Sequence, residues 1–184
     1  MEHSVARALF SFTERYQQAW QAEGYALPQD DQLSGYASPC VERDSGLDVS
    51  WQRVARQALA DFDNVEQAIE LRLHEDIKVF YGSQYAADMP AQFRQHPLTL
   101  LQVWSDEDLP RLQENMLGHL VMQRRLKLKP TMFIAAIDND EQKLISICNL
   151  SGEVILETLG RGEHEVLSDS VEDFLAELTP RVVA

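Results

Sequence analysis

Positive charge is scarce in this chain. Its 184 residues carry 16 Lys and Arg against 30 Asp and Glu, for a formal net charge of −14 at pH 7 and a pI of about 4.6. Phosphate backbones and anionic headgroups repel such a chain, which argues against nucleic acid and direct lipid binding and for a basic protein partner. Cysteine is scarce as well. Cys40 and Cys148 lie far apart and in no metal-ligand spacing, as expected of a reduced, cytosolic protein. No apolar run approaches the length that crosses a bilayer. The first residues carry Glu2, His3 and Arg7 rather than the apolar segment of a signal peptide. Membrane attachment is therefore expected to run through a partner. No internal repeat and no low-complexity segment is present.

The signatures of catalysis are missing too. There is no Gly-x-Ser-x-Gly elbow, no Gly-rich phosphate loop and no His-Glu-x-x-His. The five histidines are scattered, and His119, after Gly118 in a helical pattern, reads as a packed or capping residue. With so many carboxylates, some pair falls at glycosidase distance by chance, which is no sign of chemistry. The expectation is a protein that is not an enzyme and has neither cofactor nor metal.

What is present is one domain's worth of chain, residues 1–184, long enough to bury a proper core. The stretch 99–159 carries the most regular patterning. Thr99 to Trp104 reads as a strand, and Ser105 as an N-cap whose hydroxyl accepts from a first-turn amide. Asp106, Glu107 and Asp108 then face the positive end of a helix dipole, with Pro110 near the start. Leu109, Leu112, Met116, Leu120 and Gln123 keep helical spacing. Arg124, Arg125, Lys127 and Lys129 crowd the helix end, and Pro130 closes it. Thr131 to Ile137 is nearly all apolar, a strand buried on both faces. Leu144 to Cys148 and Val154 to Leu159 form two more strands around a four-residue loop ending at Gly152.

Earlier, Val5, Leu9, Phe12, Tyr16 and Trp20 mark an amphipathic helix whose aromatic stripe is expected in the core. Residues 28–48 read as an ordered surface loop held by Leu33, Tyr36 and Val41. Its length makes it a candidate for function. Val49, Trp51 and Val54 suit a short strand. Asp63 and Glu66 fit a capping box for a helix reaching Tyr81, with a break at His74 and an end at Gly82. Ala86 to Phe93 reads as a strand that Pro90 puts at an edge or bulge, and Gln95 to Pro97 as a turn. Ser168 or Ser170 caps a closing helix that Pro180 stops. Strands joined by short turns predict an α+β domain: a mainly antiparallel sheet packed against helices.

Acidic residues cluster beyond what composition requires. Glu66 and Glu70 lie a turn apart, Glu75 and Asp76 follow, and Asp106 to Asp108 are consecutive. A solvated face and helix capping account for much of this. If several rim one groove, their field draws in a polycationic segment.

Several strings identify the chain as similar to the Syd family of SecY-interacting proteins: Trp104-Ser-Asp-Glu-Asp-Leu, Gln113-Glu-Asn-Met-Leu-Gly-His-Leu, Arg125-Leu-Lys-Leu-Lys-Pro-Thr-Met-Phe-Ile-Ala and Cys148-Asn-Leu-Ser-Gly-Glu-Val. Ser38-Pro-Cys, Phe80-Tyr-Gly-Ser-Gln-Tyr-Ala-Ala-Asp-Met and the opening helix extend the resemblance over essentially the whole chain. It implies a SUKH-type α+β fold and peripheral attachment, through SecY, to the cytoplasmic side of the inner membrane. It further implies an electronegative concave surface for the basic cytosolic loops of the SecYEG channel, serving to monitor SecY–SecE assembly, without cofactor or catalysis. Charge and motif membership then single out Glu75, Asp88, Asp106, Glu107, Asp108 and Glu114 as partner-binding residues. The alternative is another role of SUKH-type domains, an immunity protein neutralising a basic toxin.

Overall fold

The computed structural model describes residues 2–184. The chain runs α1 (Ser4–Ala22), β1 (Gln29–Asp30), β2 (Val41–Asp44), β3 (Val49–Trp51), β4 (Val54–Ala55), α2 (Asp63–Ile69) and α3 (Glu75–Gly82). It continues through β5 (Gln84–Tyr85), β6 (Met89–Phe93), β7 (His96–Leu100), α4 (Leu109–Arg125), β8 (Thr131–Ile137), β9 (Lys143–Cys148), β10 (Val154–Thr158), β11 (His164–Ser168), α5 (Val171–Glu177) and β12 (Thr179–Pro180).

The main sheet is antiparallel throughout, in the order β11-β10-β9-β8-β7-β6-β12. Six of its strands form a meander, and α4 makes the one helical excursion, between β7 and β8. This is the α+β class the strand and turn pattern predicts. A second sheet of three short strands, β1-β3-β2, and the pair β4-β5 lie beside it. One continuous hydrophobic core joins these parts.

Helix α1 supplies much of that core. Val5, Leu9, Phe12, Tyr16 and Trp20 are all buried, so the aromatic stripe packs inward. Tyr16 stacks on Trp51 at 6.1 Å, and Trp51 meets Trp104 edge-on at 6.4 Å. Each large side chain buried here contributes about 1.5–3 kcal/mol. Truncating Trp51 to Ala costs about 3–5 kcal/mol, because the rings around it cannot close the gap. β8 is buried along most of its length, which explains its unbroken apolar run.

Several local expectations are corrected. The strand before α4 is His96–Leu100, not Thr99–Trp104; the turn into it is Arg94-Gln95, with Arg94 at φ 52°. Pro97, the second residue of this strand, still joins the sheet, because its carbonyl accepts from the Asp138 amide. Ser105 sits one turn ahead of α4. Its hydroxyl accepts from the Asp108 amide, and Asp108 is the N-cap position. The capping box at Asp63 does not form. Asp61 accepts from the Asp63 amide, while Glu66 turns away to the Leu73 amide and Lys78. The helix through Tyr81 is two helices, because Glu70 at φ 51° ends α2 and His74 caps α3. The strand at Ala86 to Phe93 begins only at Met89. Residues 28–48 are not wholly loop, since β1 and β2 lie within them, and the Tyr36 ring is exposed, so that residue holds the loop through its carbonyl and not its side chain. β11, an exposed strand with one buried residue, was not expected.

The hairpin after β9 needs its glycine. Gly152 has φ 80°, and a Cβ there would lie 2.8 Å from Nε2 of His74. The outer edge of β6 is closed by β12, and Arg181 fixes this closure by donating to the carbonyls of Ala91 and Leu98 and pairing with Asp138.

Candidate functional site

A groove of about 560 Å³ opens where the small sheet, the start of β6 and the turn before α4 converge. Three segments bring acid to it. β1 contributes Asp30. The link between β5 and β6 contributes Asp88. The turn entering α4 contributes Glu107 and Asp108. Arg111, in the first turn of α4, is the single cation of the lining among the described residues. Four carboxylates against one guanidinium leave the groove strongly negative. Leu33, Tyr36 and Trp104 add apolar and aromatic surface beside them.

The walls are held from below. The Gln102 amide donates to Asp88 at 2.8 Å, so Asp88 is aimed by the strand-like segment 101–104. The Ala86 amide donates to the Val103 carbonyl at 3.0 Å, which locks that segment to the β5–β6 link. Asp108 accepts from the Trp104 amide at 3.1 Å and from Arg111, so one of its oxygens serves the turn and the other a neighbour. Across the groove, the Trp104 indole donates to the Tyr36 carbonyl at 3.1 Å, and the Ser38 hydroxyl donates to the Trp104 carbonyl at 2.6 Å. The 33–39 loop is thereby tied to the turn that carries Glu107 and Asp108.

Asp88 is the groove's most perturbed carboxyl. Its side chain opens to groove water but is enclosed by protein on its other sides. Burial, aided by the charges of Asp108 and Asp30, pushes its pKa up to about 6 against the pull of the Gln102 amide and Arg111. Asp30 is raised by burial as well, with Asp31 and Asp48 adding to it. Crowding of like charge helps make Asp88 and Asp30 easier to protonate, and it makes the set a better site for an incoming cation.

The six residues expected to bind a partner divide. Asp88, Glu107 and Asp108 line the groove together. Asp106 does not; it pairs with Arg56 at 3.1 Å and accepts from the Tyr85 hydroxyl, and those two contacts hold its carboxyl below the usual range. Glu75 lies at the start of α3, 3.8 Å from His3, and Glu114 is exposed further along α4; neither lines the groove. Sequence reasoning missed Asp30. Its only signal was membership of the 28–48 segment, whose length marked it for function. His119 is buried against Phe133 with its pKa lowered by burial, a packed residue as expected. Among the described residues, no group of three or more His, Cys, Asp or Glu is arranged to hold a metal ion, and no helix is long and apolar enough to cross a membrane.

A family model described as Syd protein (SUKH-2) matches residues 6–180. "Protein Syd" of Aliivibrio fischeri (strain MJ11) is 53% identical over 184 residues, covering all of both chains. "Protein Syd" of Photobacterium profundum is 53% identical over 182 residues, 99% of this chain and 98% of that one. "Protein Syd" of Klebsiella pneumoniae (strain 342) is 45% identical over 180 residues, 98% of this chain and 99% of that one. With full-length similarity at this level, and with the groove built from segments that carry the family's strings, the chain belongs to the Syd family.

Proposed function

We propose that this protein is a non-enzymatic binder of the SecY channel that receives its basic cytosolic loops in the acidic groove and so inspects SecY–SecE assembly at the cytoplasmic side of the inner membrane. The observation that carries the reading is the convergence of Asp30, Asp88, Glu107 and Asp108 on one concavity opposed, among the described residues, only by Arg111. Family membership supports the choice of partner.

Long-range charge steers the encounter, and Leu33, Tyr36 and Trp104 supply the apolar contacts that fix a pose. Tyr36 is 66% exposed, and its ring is available to cover an arginine or lysine by a cation–π contact. A prearranged wall limits the ordering cost of binding.

The test is co-sedimentation of the purified protein with inner-membrane vesicles, with and without overproduced SecY–SecE, across a salt series. Attachment is expected to rise with SecY–SecE and fall with salt, since exposed charges are screened over about 8 Å at physiological ionic strength. Attachment that overproduced SecY–SecE does not raise above that to the vesicle lipid alone overturns the reading and turns the search to a soluble basic partner, such as a toxin.

A further inference from the structure

Half of the chain's 16 cationic side chains are tied into the fold. Arg53, Arg56, Arg94, Arg111, Arg181 and Lys78 each have a carboxylate partner, and Arg7 and Arg15 donate to backbone carbonyls. Among the described residues, Arg124, Arg125, Lys127, Lys129, Arg161, Arg43, Arg72 and Lys143 have none of these contacts. The first four fall within six consecutive positions and hold a quarter of the chain's 16 cationic side chains. Helix-end compensation accounts for Arg124 and Arg125, in the last turn of α4. It does not account for Lys127, Lys129 and Arg161, which lie beyond the helix.

The same place has an open apolar cleft. It measures about 340 Å³ and is walled by Ile69, Leu71, Leu120, Leu128 and Pro130, with Arg124 and Lys127 also in its lining. The β10–β11 turn that carries Arg161 packs beside it. A Cβ on Gly162 would lie 3.4 Å from Leu128, and one on Gly160 3.8 Å from Leu126. Leu126 itself is 51% exposed and Leu159 40%. Leucines thus alternate with unpaired cations around an apolar slot. The carboxylates adjoining it in the chain are Glu70 and Glu163, both exposed.

We infer that this end of the molecule docks directly on an anionic lipid surface, with Leu126 and the cleft meeting the acyl boundary and the cations meeting phosphates. The charge is complementary to a headgroup layer. Long Lys and Arg stems reach from apolar depth to the phosphate plane. The net charge of −14 does not forbid it. The acidic groove lies at the other end of α4, whose 17 residues span about 25 Å at 1.5 Å per residue. That is several times the screening length of about 8 Å at physiological ionic strength. Each cation near such a leaflet strengthens attachment by about fivefold. The inference is independent of the groove's partner.

The experiment is flotation of the full chain with protein-free vesicles, either phosphatidylcholine alone or phosphatidylcholine with about 30% phosphatidylglycerol, chosen as a bilayer bearing net negative charge. Binding at least about tenfold stronger to the anionic vesicles is expected. Arg124→Gln, Arg125→Gln, Lys127→Gln and Lys129→Gln together should abolish that difference. Leu126→Ser, which leaves the charge and the helix end intact, should weaken binding several-fold. Asp88→Asn with Glu107→Gln should leave it undiminished, which separates this surface from the groove. Equal binding to both vesicles, or binding unchanged in the folded quadruple variant, overturns the inference. So does retention on an acidic polypeptide or self-association without vesicle binding, because the face would then serve a protein.

Discussion

The two ends of α4 carry opposite charge by different means. At its start, Glu107 and Asp108 stand among other carboxylates brought from β1 and the β5–β6 link, so the negative field is assembled by tertiary structure. At its end, the cations of the tract Arg124 to Lys129 keep their charge open because no carboxylate among the described residues forms an ion pair with them. Both arrangements suit the helix dipole, which favours anions at the amino end and cations at the carboxyl end. The difference lies in what each end has lost to pairing. Asp106, one residue from the groove, is neutralised by Arg56 and Tyr85, whereas Glu107 has no such partner among the described residues. A charge that is paired is committed to the fold; a charge left open is free for a partner.

Reversing the open charges of the groove should do most to break this contrast. Asp30→Lys, Asp88→Lys and Glu107→Lys together should weaken binding of a basic SecY-loop peptide by roughly 100-fold, on the scale expected for several reversed interfacial charges. Titration calorimetry with circular dichroism as the folding control measures it. Asp106→Ala alone should stay within about twofold, since its charge is already answered.

The pH response comes next. With its pKa near 6, Asp88 is ionised at pH 7 and protonated at pH 5. Affinity for the peptide should therefore fall several-fold across that interval and lose this dependence in Asp88→Asn. Flat affinity from pH 7 to 5 would place the cation's contacts elsewhere.

Stability gives a smaller effect of defined sign. The folded Asp88 carboxyl binds protons more tightly than the unfolded one, so its destabilising ionisation is absent near pH 4, grows as pH rises toward 6 and is complete above it. Asp88→Asn should raise stability at pH 7 by about 1 kcal/mol. The full rise would amount to about 3 kcal/mol in a dry site, and groove water reduces that. Thermal unfolding at pH 7 and pH 4 tests both the gain and its disappearance.

The least change is expected at the basic end. Arg125→Glu places an anion at the negative pole of α4 and should cost about 0.5–1 kcal/mol in stability while leaving groove binding unaltered. A loss of peptide affinity in this variant would mean that the two ends act as one surface.

What the sequence made legible follows from where periodicity survives. α1, β8, the β9–β10 hairpin and α5 are buried on a regular face, and their patterns name them directly. β11 escaped because it is mostly exposed and has no apolar alternation to read. Of the small sheet only β3 was legible, from Val49 and Trp51; β1 and β2 escaped because strands as short as Gln29–Asp30 exist only through their pairing with Ser50 and Val49. His96-Pro97 looked like a turn because proline withholds an amide, yet β7 uses that residue's carbonyl instead. For the groove, charge and motif membership reached Asp88, Glu107 and Asp108. They could not separate these from Asp106, because Arg56 is 50 residues away in the chain. Asp30 was out of reach for the same reason: its neighbours are made by folding.

The short closing strand has a consequence for the growing chain. The backbone edge of β6 is covered by Thr179 and Pro180 and pinned by Arg181. An uncovered edge is a template for another strand. During synthesis that edge stays open until residues 179–181 have left the ribosome, because β12 is the last strand of the sheet in chain order. Until then the open edge of β6 can pair with a strand of a neighbouring nascent chain. Pro90 lies in β6 and withholds an amide from that edge, so it is the safeguard already in place during that interval.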